Sequence, residues 1–343
     1  RQGGVRVHQA ESAFRAAGEQ YPAGTYVIPP QSFRPWVIDL MEPKQYPDRF
    51  DYPGGPPERP YDVTGYNLPN QLGVLFHRAL EQFEMPGPTI VEVMPSPGEI
   101  HGSGSRGYVL SRNHNASALA VNRLLASGAQ MAWTSEPIQA GDMNWPTGSF
   151  VITRADRNDL ETLATELGLE FYALDEAPGS SVQAFEAPLV GIYQSYVSNM
   201  AEGWTRWVLD QYEFEVETLH DADIRAGDLE RFDIILLPDQ VSESILNGHA
   251  PKTMPPQYVG GVGVEGAAAL KQFVTEGGWL MAFHNSVEFA TTMIGLPGRN
   301  AIANVDSRRF YAPGSVIRFT PDDTDPLAYG MAEEAYALFW QHR

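Results

Sequence analysis

The chain has 343 residues, of which 43% are hydrophobic, so it can bury substantial cores, and its length suggests about two or three domains. Its 43 acidic and 23 basic residues give a formal net charge of −20, which argues against nucleic acid and anionic membranes as partners. The lack of cysteine excludes a thiol nucleophile, disulfides and thiolate metal sites, and no apolar run approaches the ~20 residues that a membrane helix needs.

Two segments of the first half repeat each other without a gap. Residues 21–28 recur as residues 145–152, and the upstream Gly4 corresponds to Gly128 at the same offset of 124 positions. In each copy an aromatic-Pro-x-Gly turn leads into a strand of β-branched and aromatic residues. This spacing predicts two copies of one α/β unit.

A helix is predicted after the repeated strand of each copy. In the second copy Leu160, Leu163, Ala164 and Leu167 fall at helical spacing and Gly168 ends the pattern, whereas residues 33–41 form a weaker counterpart in the first copy. A strand over residues 107–111 and a helix over residues 117–127 precede the second copy. The first copy has no counterpart to them, which predicts that the chain starts inside a repeat and is a fragment of a longer protein.

The second half has the pattern of a doubly wound sheet. Short apolar runs alternate with helical patterns, as buried parallel strands do, and a Gly- and Pro-rich stretch over residues 242–260 is predicted as an insertion over the strand ends. The fold class is therefore α/β, with a repeated α/β module followed by a flavodoxin-like parallel sheet. The predicted domains are a partial first repeat with a linker (1–60), the second repeat (61–185) and the sheet domain (186–343). The predicted strands of that sheet are Leu189–Tyr193, Glu215–Leu219, Asp233–Pro238 and Trp279–Phe283.

Polar side chains follow these predicted strands. Ligands of open α/β sheets bind beyond the carboxyl ends of the strands, so these residues should surround one crevice. The favoured interpretation is a relic of a lost site that now packs against a neighbouring domain. The predicted crevice residues are Gln194, Ser195, Tyr196, Asp239, Gln240, Glu265, His284, Asn285 and Ser286.

Several motifs resemble a known family. The chain resembles the C-terminal region of bacterial zinc carboxypeptidase-like proteins, which includes a degenerate class I glutamine amidotransferase-like domain. Nearly the whole chain is covered by this resemblance. The motifs are Tyr21-Pro22-Ala23-Gly24-Thr25-Tyr26-Val27-Ile28-Pro29, Gly191-Ile192-Tyr193, Gly203-Trp204-Thr205-Arg206-Trp207, Phe232-Asp233-Ile234-Ile235-Leu236, Gly260-Gly261-Val262-Gly263-Val264-Glu265-Gly266 and Glu276-Gly277-Gly278.

The resemblance implies that the catalytic, zinc-binding domain lies upstream of Arg1. Zinc is then expected only in that domain, and no cofactor is expected in this chain. The local spacing His-x-x-Glu occurs at His8 and Glu11, but its counterpart at residues 132–135 contains no metal ligand, so no metal site is predicted. The family also implies a secreted or periplasmic location. The implied partners are the peptidase domain and a peptide or cell-wall-derived ligand.

The turn after the last predicted strand carries the nucleophilic cysteine in true amidotransferases. Here it reads His284-Asn285-Ser286, so hydrolysis of glutamine is not expected. Ser286 could act as a substitute nucleophile with His284, His220 or His249 as its base, and Glu265 is a further candidate. The favoured interpretation is that Asn285 and Ser286 cap the next helix.

The sequence thus leaves three functions open. The first is a non-catalytic accessory region that braces or gates the peptidase domain. The second is an independent hydrolase that uses Ser286. The third is a binding module for a sugar or peptide that uses Trp204, Trp207 and Tyr196, although the helical spacing of the two tryptophans favours a place in the core.

Overall fold

The structure is a computed structural model that describes residues 4–31, 33–43, 49–58, 67–93, 96–306 and 308–339. The chain divides into two compact units, residues 1–95 with 301–343 and residues 96–300. The predicted domain limits at residues 60 and 185 remain predictions. Within the described ranges no helix is long and apolar enough to cross a membrane.

The first unit begins with short strands and two helices. Strand β1 pairs antiparallel with β4, and β2 pairs antiparallel with β3. The chain returns beside β1 near Thr89, which forms a bridge with His8. The elements are β1 (His8–Gln9), β2 (Phe14–Ala16), β3 (Glu19–Tyr21), β4 (Tyr26–Val27), α1 (Arg34–Met41) and α2 (Leu68–Leu72).

The second unit opens with a six-stranded mixed sheet in the order β12-β7-β10-β6-β11-β5. All neighbours are antiparallel except β11 and β5. Helices α3 and α4 pack on the sheet through one apolar core. The elements are β5 (Ile100–His101), β6 (Tyr108–Leu110), α3 (Asn115–Ala126), β7 (Gln130–Thr134), β8 (Ile138–Ala140), β9 (Met143–Trp145), β10 (Phe150–Arg154), α4 (Arg157–Leu167), β11 (Phe171–Ala173) and β12 (Val182–Phe185).

The sequence repeat is matched by strand register. His8 pairs with Val27 in the first copy and Ala132 with Val151 in the second, at the same offset of 124 positions. The hairpin β2–β3 pairs Phe14 with Tyr21 as β8–β9 pairs Ile138 with Trp145. Both turns also carry the same bond, from Thr25 Oγ1 to Pro22 O (2.8 Å) and from Ser149 Oγ to Pro146 O (2.7 Å). The same local sequence therefore forms the same strand, hairpin and turn twice.

The two copies differ in burial. Strand β10 lies between β7 and β6, and Ile152 is 1% exposed. Strand β4 pairs only with β1 among the described residues, and the counterpart Ile28 is half-buried. On the following helix, Leu160 is 1% exposed in α4, whereas its counterpart Trp36 is 46% exposed in α1. The first copy thus has the local structure of the second without its core.

The second unit continues into a four-stranded sheet. It is parallel throughout, in the order β14-β13-β15-β16, which confirms the predicted parallel sheet and its four strands. Helices α6 and α7 were not predicted. The elements are β13 (Val190–Tyr193), α5 (Met200–Gln211), β14 (Val216–Leu219), α6 (Asp221–Ala226), β15 (Ile234–Leu237), α7 (Ser242–Asn247), α8 (Gly263–Thr275), β16 (Trp279–Ala282) and α9 (Ser286–Phe289), followed by a hairpin of β17 (Ser315–Phe319) and β18 (Ala335–Phe339) that groups with the first unit.

Helix α5 has an inverted burial pattern. Trp204 and Trp207 are 62% and 54% exposed, and their rings meet edge to face with centroids 6.0 Å apart. The buried residue of α5 is Glu202, which pairs with Arg206. The prediction that the two tryptophans lie in the core is therefore wrong. The two tryptophans share one face of α5, but the helix meets the sheet with the face that carries buried Glu202 and partly buried Leu209.

Polar bonds join the two sheets of the second unit. Asn122 Nδ2 donates to Tyr212 O over 2.7 Å, and the Arg123 guanidinium binds both carboxylate oxygens of Glu213. Both donors lie on α3, and both acceptors follow the end of α5. These bonds fix α3 against the α5–β14 connection.

Because the two copies differ in burial, the same isoleucine-to-alanine substitution at equivalent positions should lower the free energy of unfolding by different amounts. Ile152→Ala removes fully packed atoms and should lower the free energy of unfolding by about 2 to 5 kcal/mol. Ile28→Ala, its matched control, should cost about 1 kcal/mol or less because the side chain keeps contact with water. Urea unfolding of both variants measures the difference. Equal costs would contradict the burial that the two copies show.

Candidate functional site

The carboxyl ends of the four parallel strands carry the polar residues that the sequence placed there. A polar loop follows each strand: residues 194–196 after β13, His220 after β14, residues 238–240 after β15 and residues 284–286 after β16. Because the strands are parallel, all four loops leave the same edge of the sheet. The structure joins the loops through several specific hydrogen bonds.

The sharp turn after β16 has His284 at its strained position. His284 adopts φ +48°, a left-handed conformation that is uncommon outside glycine. Its Nδ1 lies 3.1 Å from Asp239 Oδ1, which also accepts the Asn285 backbone N–H (3.1 Å) and the Asn285 Nδ2–H (3.0 Å). Asp239 therefore holds the turn in place from the neighbouring loop.

The surroundings of Asp239 also set its acidity. Partial burial raises the pKa of its carboxyl, but the Asn285 backbone N–H and the His284 ring outweigh that effect, so the pKa lies below its usual 3.8. The carboxylate is consequently charged at neutral pH. With half-exposed side chains, Asp239 and His284 present an accessible acid–histidine pair to solvent.

Ser286 is buried, and its hydroxyl is bonded to backbone groups of the loop after β15. Its side chain is 0% exposed, its hydroxyl donates to Pro238 O, and it accepts the Gln240 backbone N–H over 3.1 Å. No hydrogen bond joins it to any of the three suggested bases in the described part of the chain: His284 Nδ1 lies 3.1 Å from Asp239 Oδ1, His220 Nδ1 is bonded to Gln194 O (2.8 Å) and His249 Nε2 to Tyr196 O (3.0 Å). A nucleophile needs an accessible hydroxyl and a base, and Ser286 has neither.

The predicted capping of the next helix is also wrong. Helix α9 begins at Ser286, and its N-cap residue Asn285 makes no side-chain capping bond. The Asn285 amide is bound to Asp239, and the Ser286 hydroxyl is bound to the loop after β15. Both side chains bind the loop after β15 and therefore join two loops in place of capping α9.

Aromatic residues form a second cluster at the same edge. The Tyr196 ring stacks on the His220 ring, with centroids 4.8 Å apart and planes 12° apart, and meets the edge of Tyr258 at 4.8 Å. His249 binds the Tyr196 carbonyl from the insertion. The structure thus brings together Tyr196, His220 and His249, two of the three histidines that the sequence proposed as bases. Tyr196 packs within this cluster, and the exposed tryptophans pair with each other on α5.

Two sets of buried polar side chains at this edge were not predicted from the sequence. Glu202, 5% exposed, accepts two bonds from Arg206 and one from Gln194 Nε2 (3.2 Å). The Tyr193 hydroxyl donates to Asp221 Oδ1 over 2.7 Å. Burial raises the pKa values of both members of that pair. The only signal for Asp221 was its place after the second strand, beside His220.

The remaining predicted residues divide into buried and exposed. Ser195 and Gln240 are each 8% exposed, and the Ser195 hydroxyl accepts the Val197 N–H. The side-chain amide of Gln240 has no hydrogen-bond partner among the described residues. Glu265 is exposed in the first turn of α8, and no hydrogen bond joins it to the other crevice residues within the described ranges.

The residues present do not fit a zinc site. Both ring nitrogens of His8 are engaged, Nδ1 with Gly87 O (2.9 Å) and Nε2 with Thr89 Oγ1 (3.2 Å). Within the described ranges, no group of three or more histidine or acidic side chains could hold a metal ion. His8 instead fixes the returning chain beside β1.

The buried hydroxyl of Ser286 predicts a purely structural effect of its removal. Ser286→Ala leaves the buried Gln240 N–H without an acceptor and should lower the free energy of unfolding of the second unit by about 1 to 3 kcal/mol. Ser198→Ala, an exposed serine after β13, is the matched control and should stay within about 0.5 kcal/mol of the parent. Urea unfolding followed by tryptophan fluorescence measures both. A neutral Ser286→Ala would contradict this role.

The lowered pKa of Asp239 predicts a pH-dependent stability difference. Because the folded-state pKa lies below 3.8, the carboxylate stabilises the fold above that pH, and the stabilisation is lost as the pH falls through the folded-state value. Asp239→Asn should therefore be less stable than the parent near neutral pH, by under about 1 kcal/mol because the group is partly exposed. Urea midpoints from about pH 6 to about pH 3 should converge. A gap that widens toward acid would contradict the assignment.

Comparisons with models of protein families, with curated proteins and with solved structures gave no match to this chain. The chemistry open to the site is therefore inferred from its own side chains.

Proposed function

We propose that the chain is a non-catalytic accessory region of a zinc carboxypeptidase-like protein, which braces or gates the peptidase domain. The observation that carries this proposal is the use of the turn after β16. Ser286 is fully buried in backbone bonds, and His284 is held by Asp239. Side chains that would form a nucleophilic centre are used to tie loops together, which is what a scaffold requires.

The strand order supports the finer fold assignment within this proposal. The order β14-β13-β15-β16 places the second strand at one edge, beside the first, as in the first four strands of a flavodoxin-like sheet. The proposed lobe is a degenerate class I amidotransferase-like domain within residues 186–343. The sequence motifs add the secreted or periplasmic location and the upstream peptidase domain to the proposal.

A bracing role is consistent with the ties inside the second unit. The bonds from α3 to Tyr212 and Glu213 fix the six-stranded sheet to the four-stranded one. The chain from Gln194 through Glu202 to Arg206 continues to Thr218 Oγ1 (3.0 Å), so β13, α5 and β14 are held by side chains as well as by the sheet. These hydrogen bonds would help the second unit to keep its shape when a neighbouring domain packs against it.

A second candidate is a crevice that binds a peptide or cell-wall-derived ligand without turnover. Gln240 favours it, because its buried amide carries a donor and an acceptor with no partner among the described residues. A ligand amide offers the complementary acceptor and donor in one plane. Half-exposed Asp239 on the same loop and half-exposed His284 on the neighbouring loop would give the crevice its polar side.

The accessory role predicts that the chain alone neither retains zinc nor cleaves peptides. After dialysis against micromolar zinc, elemental analysis should find well under one zinc per chain, and C-terminal peptide substrates should stay intact. Joined to the zinc-binding domain that the resemblance implies, the chain should raise that domain's melting temperature by about 3 °C or more, which corresponds to roughly 1 kcal/mol for a domain of ordinary size. Stoichiometric zinc or turnover by the chain alone would overturn the proposal.

Two controls separate the alternatives in the same assays. Loss of any ester or amide hydrolysis in Ser286→Ala, with folding intact, would establish the hydrolase in place of the accessory role. A thermal shift with peptide or muropeptide that disappears in Gln240→Leu would identify the crevice as a binding site. Leucine is the matched control because it keeps the buried volume of glutamine and removes its amide.

A further inference from the structure

The outer edge of β4 has no strand beside it in the described part of the chain. In the first unit β4 pairs with β1, and no other strand pairs with it among the described residues. Its side chains are also uncovered, since Tyr26 is 48% exposed. Edge strands present unpaired N–H and C=O groups that can accept a further strand.

The direction of the free backbone groups follows from the pairing with β1. Thr25 O accepts the Ala10 N–H over 2.9 Å, so the backbone groups of Thr25 face the β1 side. Backbone groups alternate along a strand, so those of Val27 face the same way and those of Tyr26 and Ile28 face outward. The open edge therefore offers two N–H and two C=O groups.

In the second copy a further strand pairs with the edge that corresponds to the outer edge of β4. There β6 pairs antiparallel with β10, with Leu110 opposite Phe150 and Tyr108 opposite Ile152. These two β10 residues are the counterparts of Tyr26 and Ile28 at the offset of 124 positions. Gly107 lies so close to Ile152 O that a Cβ would approach it to 2.5 Å, so the strand is seated tightly.

Helix α3, which follows β6, completes the second-copy core. Its Ala120 and Leu124 are fully buried against the sheet and α4, and Leu160 of α4 belongs to the same core. The first copy leaves the matching position open, because Trp36 of α1 is 46% exposed. In the first copy the edge of β4 and the Trp36 face of α1 are therefore both uncovered. In the second copy β6 and α3 cover the two equivalent surfaces.

We propose that the open edge of β4 is a docking site for a strand–helix unit with the chemistry of residues 107–128. The incoming strand pairs antiparallel with Tyr26–Ile28 and is about three apolar residues long, because Pro29 and Pro30 end the edge by lacking N–H groups. The incoming helix lays an apolar stripe of small and branched residues on Trp36 and Ile28. A bare strand would gain too little contact there, so the helix supplies most of the buried surface.

This inference does not rest on the accessory role. It depends on the internal repeat and on the pairing of β6 in the second copy, and it would hold for any function of the chain. If the accessory role is correct, the docking unit identifies one surface through which a neighbouring domain can be held.

The test uses the full chain and a synthetic peptide of residues 107–128. Hydrogen exchange read by mass spectrometry over residues 24–31 reports the edge directly, because Pro29 and Pro30 contribute no amide. At 90% occupancy the Tyr26 and Ile28 amides should exchange about tenfold more slowly. A peptide methylated on the Leu110 backbone nitrogen is the matched control. It keeps the side chains, loses the bond to Tyr26 and should give no slowing.

Ile28→Pro tests the same edge from the side of the chain. It removes one outward N–H and leaves the Val27 pairing with β1, so the His8 segment should exchange as in the parent while peptide binding is lost. Unchanged exchange over residues 24–31 at saturating peptide would overturn the proposal. Slowing that rises with chain concentration in the absence of peptide would also overturn it, because a second copy would then be the occupant.

Discussion

The four-stranded lobe depends on the lock between the loops that follow β15 and β16. Asp239 accepts three hydrogen bonds from the His284–Asn285 turn, and the Ser286 hydroxyl returns one to Pro238 while accepting the Gln240 N–H. Parallel strands end with backbone groups that no neighbouring strand can satisfy, and buried polar groups without partners are costly. Side chains supply those partners here. The bonds that stabilise the lobe thus occupy the Ser286 hydroxyl, which is not free to act as a nucleophile.

The elements that the sequence predicted well are those whose signal is local. Three of the four parallel strands are short apolar runs, and Gly168 ends α4 in a left-handed conformation, as a C-terminal glycine should. The repeat was also visible in the sequence, because its aromatic-Pro-x-Gly turn forms the same side-chain bond in both copies. Helix α6 was missed because its six residues contain too little periodicity to separate them from a loop. Its boundaries are set by His220 and Gly227 and by packing on α8.

The bonds at the carboxyl ends of the strands were less predictable than the strands. Parallel strands place their carboxyl ends together, and side-chain bonds join the loops after β15 and β16 there, whereas a crevice built from all the predicted residues stays a prediction. Which residue occupies the strained turn, and whether a hydroxyl points to water or into a loop, depends on packing between segments more than 40 positions apart. The prediction that the tryptophans of α5 are buried was wrong for the same reason. Amphipathic spacing locates an apolar face, but α5 meets the sheet with the face that carries buried Glu202 and partly buried Leu209.

The two copies of the repeat separate local from non-local causes within one chain. Equivalent residues form the same hairpin, turn and register in both, yet Leu160 is buried and Trp36 is not. The local sequence therefore suffices for strand pairing, whereas the core requires β6 and α3. A single edge of hydrogen bonds cannot bury a helix face, because burial needs a second layer. For that reason an uncovered edge and an uncovered helix occur together in the first copy, and one incoming unit would complete both.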